Sequence, residues 1–182
     1  FIQITRLKVI LTEQQLSIII KRLSHQILEN HMNLRDTVII GIQPRGVFFS
    51  DMIVDELSKL VPLESIKYGI LDITFYRDDV RKEIHVPNQT KISFTIENAN
   101  VVLIDDVLHT GRTIRAALDA LLDFGRPSKV ELCTLIDRRF SRQLPIQPDY
   151  VGKSIDSIIS QRVKVLWNSR DNRQEVVLLE GN

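Results

Sequence analysis

The chain has 182 residues, of which 43% are hydrophobic, with 24 Lys and Arg against 23 Asp and Glu. That length fits one domain over 1–182, and the composition excludes disorder, collagen and a coiled coil. A net charge of +1 gives no bulk electrostatic reason to bind nucleic acid, and the single Cys133 excludes an internal disulfide or a cysteine zinc cage.

No apolar run approaches the ~20 residues that span a bilayer, and no basic–apolar–small order marks a signal peptide. A cytoplasmic protein with no membrane partner is expected. Residue 1 is Phe rather than Met, so the numbering is expected to start inside the encoded protein.

Thr12-Glu13-Gln14-Gln15 has the pattern of a capping box, and Leu16, Ile19, Ile20, Leu23 and Ile27 form one helical stripe behind it. Thr37 to Ile42 is almost wholly apolar, the mark of a strand covered on both faces. Gln43-Pro44-Arg45-Gly46 breaks it, and Phe49, Ile53, Leu57 and Leu60 continue at helical spacing. Residues 66–75 read as another strand, ending in Asp72-Ile73-Thr74-Phe75; 76–90 read as a long polar loop carrying Arg77, Asp78, Asp79, Arg81, Lys82, Glu83 and Asn88.

Ile92 to Ile96 alternates like a half-exposed strand, and Val101 to Ile104 reads as a buried one. Ile114, Ala117, Leu118, Leu121 and Leu122 form a further helical stripe, stopped by Gly125 and Pro127. Val130 to Ile136 is again a buried strand. The apolar runs at Tyr150-Val151, 163–166 and 176–179 are expected to end the chain in antiparallel strands. The strand–helix alternation predicts an α/β fold with a mainly parallel central sheet flanked by helices.

The most informative stretch is Val101-Val102-Leu103-Ile104-Asp105-Asp106-Val107-Leu108-His109-Thr110-Gly111-Arg112-Thr113. A buried strand delivers two adjacent carboxylates to its C-terminal end, where open α/β sheets bind ligands. The turn that follows leads into a helix, so free amides, a positive dipole end and two hydroxyls are available to a phosphate monoester. Gly111 lets the backbone approach the anion closely. A sugar carrying a terminal phosphate presents the matching groups. Taken singly, paired Asp at a strand end also occur in Mg²⁺-holding receiver domains and phosphatases, and a Thr-Gly turn is an ordinary helix start.

The whole run resembles the phosphoribosyl-pyrophosphate (PRPP) signature of type I phosphoribosyltransferases. Gly41 to Gly46 stands where that superfamily keeps its pyrophosphate loop. Asp72 to Asp79 resembles the start of its mobile hood, here about 73–91. Gly125-Arg126-Pro127, Asp137-Arg138, Leu144-Pro145-Ile146 and Asp149 to Lys153 narrow the likeness to the PyrR family of pyrimidine operon attenuators and uracil phosphoribosyltransferases. The resemblance covers nearly the whole chain and implies the type I phosphoribosyltransferase fold with a small hood.

By that resemblance, uracil and PRPP would give UMP and pyrophosphate. Asp105 and Asp106 would accept hydrogen bonds from the ribose diol and favour positive charge on the ring, with Arg45 as the third catalytic group. Backbone amides of Val107, Leu108, His109, Thr110, Gly111, Arg112 and Thr113, with the two Thr hydroxyls, would hold the 5-phosphate. Pro44, Arg45 and Arg77 would meet the pyrophosphate, with Gln43–Pro44 able to adopt cis at a small penalty. Mg²⁺ would be carried by PRPP rather than by a protein cage.

The base would sit near Arg138, Val151 and Val163, with Asp137 and Lys153 as further candidates. His109, Cys133 and Trp167 are read as packing residues. Members of the family also bind leader RNA when UMP is present, and Lys21, Arg22, His25, Arg142 and Lys153 are the candidate contacts here. Asn30, Gln147 and Arg139-Phe140 depart from the family's usual pattern on that face. Family likeness implies a homo-oligomer, dimer or higher. A hypoxanthine–guanine-type transferase and a non-catalytic RNA-binding regulator are the competing readings.

Overall fold

The computed structural model describes residues 7–77, 89–158 and 160–180. β1 (Leu7–Leu11) and α1 (Glu13–His31) come first, then β2 (Thr37–Ile42), α2 (Gly46–Ser58), β3 (Lys67–Leu71) and β4 (Asn100–Leu108). α3 (Arg112–Leu121), β5 (Lys129–Arg139), β6 (Tyr150–Asp156), β7 (Arg162–Leu166), the short α4 (Asn168–Asp171) and β8 (Glu175–Leu179) follow. Five strands form a parallel sheet in the order β3-β2-β4-β5-β6, and a smaller antiparallel sheet, β1-β8-β7, joins the two ends of the described chain.

The apolar runs become central strands because alternate residues feed two separate cores. Ile39, Val102 and Ile104 face the layer holding α1 and α2, while Val38, Ile40, Val101 and Leu103 face α3. α1 begins as its sequence predicts: Gln15 N donates to Thr12 Oγ1 and Thr12 N to Gln15 Oε1. Its Leu16, Ile20, Leu23 and Ile27 are buried, each burial stabilising the fold by roughly 1.5–3 kcal/mol. The small sheet is fastened to the same core through Leu11, Val165, Trp167 and Val176. Trp167 stacks on Phe48 and Phe49, and Cys133 is fully buried, so both pack as expected.

Several expectations need correction. The strand expected over 66–75 ends at Leu71, because Asp72 Oδ1 accepts from both Thr74 N and Thr74 Oγ1 and bends the chain into a short 3-10 turn, Thr74–Tyr76. Ile92 to Ile96 is not a strand. Its alternating Ile92, Phe94 and Ile96 pack on the α3-side core, and the pairing there is a single bridge between Ile70 and Lys91. Tyr150-Val151 opens a parallel strand, β6, rather than an antiparallel one. Leu60 and Leu122 fall beyond the α-helices and are largely exposed. β1 was not expected, since three of its five residues are exposed. Of the polar loop, Asp78, Asp79, Arg81, Lys82, Glu83 and Asn88 lie outside the described residues. No described helix is long and apolar enough to cross a membrane.

At the foot of the parallel sheet, the buried Glu131 carboxylate gathers three donors. His31 Nε2 lies 2.6 Å from its Oε2, Tyr150 Oη donates to the same oxygen at 2.8 Å, and Lys129 pairs with Oε1. Burial pushes the Glu131 carboxyl up, but these partners outweigh it and hold it below its ordinary value. A depressed carboxylate stabilises the fold above its unfolded pKa and loses that contribution as pH falls through the folded value. Thermal melts should therefore show wild type losing stability from about pH 5 downward, with Glu131→Gln losing less over that range. At neutral pH the variant should be less stable by about 1–3 kcal/mol.

Candidate active site

The strand order places β3 and β4 on opposite sides of β2, so their connections leave a crevice beyond the C-terminal ends of β2 and β4. Arg45 stands just past β2, and Asp105 and Asp106 near the end of β4. They meet there: Arg45 Nε lies 3.2 Å from Asp106 Oδ2. Arg45 Nη2 also donates to Val165 O, which ties β7 to the crevice. Gly46 makes this approach possible, because a Cβ there would stand 2.8 Å from Ile104 O and 3.0 Å from Asp105 Oδ1. The Gln43–Pro44 peptide is cis.

Asp105 and Asp106 are only 7% and 6% exposed. Burial pushes the Asp105 carboxyl well above the usual carboxylate range, and the Asp106 charge adds to it; Arg77 and Arg45 work the other way. Burial also raises Asp106, with Arg45 as the main opposing influence. Asp105 Oδ1 accepts from Asp106 N at 2.9 Å. Two acids held this way are costly to ionise together and are poised to meet positive charge. Arg77 stands close enough for its charge to act on Asp105.

The loop after β4 turns at Gly111, whose φ of +92° is left-handed. A Cβ there would lie 3.0 Å from Ile146 Cγ1, so glycine is required on two counts. Val107, His109, Thr110 and Thr113 are half-buried and Arg112 is exposed, while the Leu108 side chain is buried in the α3-side core, so Leu108 can offer only its backbone. α3 starts at Arg112, and its first amides therefore lack partners within the helix. His109 is held below its ordinary pKa by burial and by the charges of Arg138 and Arg142. A run of amides at a helix start beside two buried carboxylates offers donors to a phosphate and acceptors to a diol.

Arg138 is buried. Its Nε donates to Ser157 Oγ at 2.8 Å, and its Nη2 donates to Ile158 O and Gln161 O at 3.1 and 2.9 Å. It thereby holds the loop after β6 as the wall of a cleft of about 720 Å³, lined also by Phe140, Asp156 and Ser160. Val163, two residues beyond Gln161 on β7, pairs with Leu178 and packs on the core that holds α1 and α2. Val151 sits deeper in the sheet than Arg138. It pairs with Thr134, level with Asp105 in the sheet, and its carbonyl accepts from Arg22 at 3.1 Å. Ser154 and Ile155, paired with Asp137 and Arg138, occupy the crevice edge instead. Ser157, Ile158 and Gln161 were missed because they carry no motif; Asp137-Arg138 was the only signal pointing toward them.

The cations expected to face RNA divide. Lys21 and His25 are exposed on α1, but Lys21 lines the groove that also holds Asp51, Asp55 and Glu56 of α2. Arg22 Nη2 is engaged with Val151 O and Gly152 O, and Lys153 is exposed with its Nζ 3.5 Å from Ile10 O. Arg142 is turned inward rather than displayed: Nη2 lies 2.5 Å from Asp137 Oδ1, and Nη1 donates to His109 O at 2.6 Å. Among the described residues no group of three or more His, Cys, Asp or Glu could cage a metal. A Mg²⁺ that keeps most of its water or phosphate ligands needs no such cage, and the paired Asp105 and Asp106 carboxyls are oxygen donors of the kind it takes.

Residues 7–170 match the phosphoribosyl transferase domain family. The fold is similar to a hypoxanthine phosphoribosyltransferase from Staphylococcus aureus (TM-score 0.70, 22% identity, 96% of this chain and 92% of that one). In sequence the chain is similar to bifunctional protein PyrR of Actinobacillus pleuropneumoniae serotype 5b, 45% identical over 96% of this chain and 97% of that protein. It is also 45% identical to bifunctional protein PyrR of Actinobacillus succinogenes, over 94% and 98%. The hypoxanthine enzyme shares the fold, whereas the PyrR proteins share nearly half of all residues along nearly the full length. With its twin acids, Arg45 and glycine-pivoted loop gathered at one strand crossover, this chain belongs to the PyrR family of phosphoribosyltransferases.

Proposed function

We propose that the chain forms UMP and pyrophosphate from uracil and Mg²⁺-bearing PRPP. The observation that carries this reading is the meeting of Asp105, Asp106 and Arg45 at the end of β4, directly beside the amide-rich loop 109–113. The bond from ribose C1 to pyrophosphate breaks as a bond to uracil N1 forms, and the N1 proton is released. Positive charge then grows on the ring and negative charge on the leaving group. Asp105 and Asp106 accept the ribose hydroxyls and stabilise the ring cation; Arg45 and Arg77 stabilise the departing pyrophosphate. Mg²⁺, arriving as part of the substrate, supplies further countercharge to the phosphate oxygens.

We place uracil in the cleft beside Arg138, where main-chain groups of 154–158 and 160–161 would offer donors to its carbonyls and an acceptor to N3–H. PRPP-dependent turnover with uracil, hypoxanthine and guanine tests the assignment. Uracil is expected to be preferred by at least about 100-fold in kcat/KM. Turnover of the purines with none on uracil would overturn it.

A second activity is supported by the relatives' description as bifunctional and by the exposed Lys21, His25 and Lys153. We propose UMP-dependent binding of a pyrimidine-gene leader RNA. Its affinity should fall steeply with salt in the presence of UMP; binding that ignores UMP would contradict it.

A further inference from the structure

The loop that faces the phosphate has a second side, and that side is clasped. His109 O accepts from Arg142 Nη1 at 2.6 Å, and Thr110 O accepts from Gln143 N and Leu144 N at 3.0 and 3.2 Å. A trans peptide is planar, and its carbonyl and amide hydrogen point in opposite directions. The His109 carbonyl shares its plane with the Thr110 amide, and the Thr110 carbonyl shares its plane with the Gly111 amide. Drawing both carbonyls toward 142–144 therefore turns both amides the other way.

We infer that Arg142 is a positioning residue for the 5-phosphate, fixing the Thr110 amide through the His109 carbonyl. The inference rests on the proposed placement of the phosphate in loop 109–113. Asp137, 13% exposed in its side chain and 2.5 Å from Arg142 Nη2, anchors the guanidinium, itself only 23% exposed. A charged donor on the His109 carbonyl also polarises the peptide and strengthens the Thr110 N–H as a donor. The neighbouring contacts, Arg112 Nε to Gln143 Oε1 at 2.8 Å and Ile146 against Gly111, hold the rest of the loop without this charge. Arg142 thus acts on the phosphate through a peptide bond, without touching it.

Calorimetric titration with UMP and with uridine isolates the role, because the two ligands differ only in the phosphate. Wild type should prefer UMP. Arg142→Gln should lose roughly 10- to 100-fold in UMP affinity while keeping uridine affinity within about twofold. Arg142→Lys, which retains a cation beside Asp137 but cannot span to His109 with a second arm, should fall between the two. An unchanged UMP-to-uridine ratio in Arg142→Gln, or equal losses of both ligands, overturns the inference. Should that variant melt below the assay temperature, the same ratio in Arg142→Lys decides. Wild type that fails to distinguish UMP from uridine would instead overturn the phosphate placement itself.

Discussion

Replacing Asp105 and Asp106 together by Asn is expected to lower kcat/KM by about 10²–10³-fold while raising the melting temperature. The two effects share one cause. Both carboxyls are buried and both are pushed above their ordinary values, so burial works against their charged forms. A folded pKa that is raised gives stability that is complete below the unfolded value and is lost as pH rises through the folded one. The Asn pair removes that loss and keeps an Oδ1 that can still accept from the amide of residue 106, as Asp105 does now. The gain should amount to a few °C near neutral pH and vanish toward pH 4, below which the wild-type acids are protonated in both states. The activity loss follows because an amide cannot match a carboxylate against a growing ring cation, a change in preorganised electrostatics of about that size. Differential scanning calorimetry across pH, with PRPP-dependent turnover on the same preparations, measures both. A variant less stable than wild type at neutral pH, or one with unchanged kinetics, would contradict the account.

Gly111→Val should lose both stability and PRPP binding. The left-handed φ of +92° alone opposes any side chain, and the new Cβ would meet Ile146 Cγ1 at 3.0 Å and Ile146 Cβ at 3.3 Å. Backbone strain and overpacking together cost about 2–4 kcal/mol, or roughly 4–16 °C in melting temperature for a chain of this size. The loop can escape only by moving away from Ile146, which rotates the very amides proposed to hold the phosphate. Gly111→Ala should show the same defects, smaller, because one methyl reaches Ile146 where an isopropyl group drives into it. Chemical denaturation and the KM for PRPP read the two components; a Val variant with wild-type KM would sink this reading of the loop.

Much of the fold was legible because its determinants are local. β2, β4 and β5 announced themselves as apolar runs that a sheet covered on both faces requires, and Thr12 with Gln15 marked the start of α1. The carboxylate pair and the glycine turn were legible for the same reason, since each lies within a few residues of its strand. What escaped the sequence depends on distant partners. β1 carries Leu7, Lys8 and Val9 exposed and is a strand only because β8 pairs with it. The alternation at Ile92 to Ile96 was real, but it reports packing on the α3-side core and not a ladder. Arg22 and Arg142 read as surface cations, and only the fold brings them to the Val151, Gly152 and His109 carbonyls, more than thirty residues away in each case. Arg138 was expected beside the base, but its partners Ser157 and Gln161 sit in a loop without a motif and could not be read from the sequence.

The most direct measurement is a crystal structure of the protein with UMP bound. The phosphate is expected within about 2.7–3.2 Å of amides between Thr110 and Thr113, the ribose hydroxyls on Asp105 and Asp106, and the base in the cleft beside Arg138. A nucleotide lodged with its phosphate away from that loop, or with its diol out of reach of both acids, would contradict the account at its root.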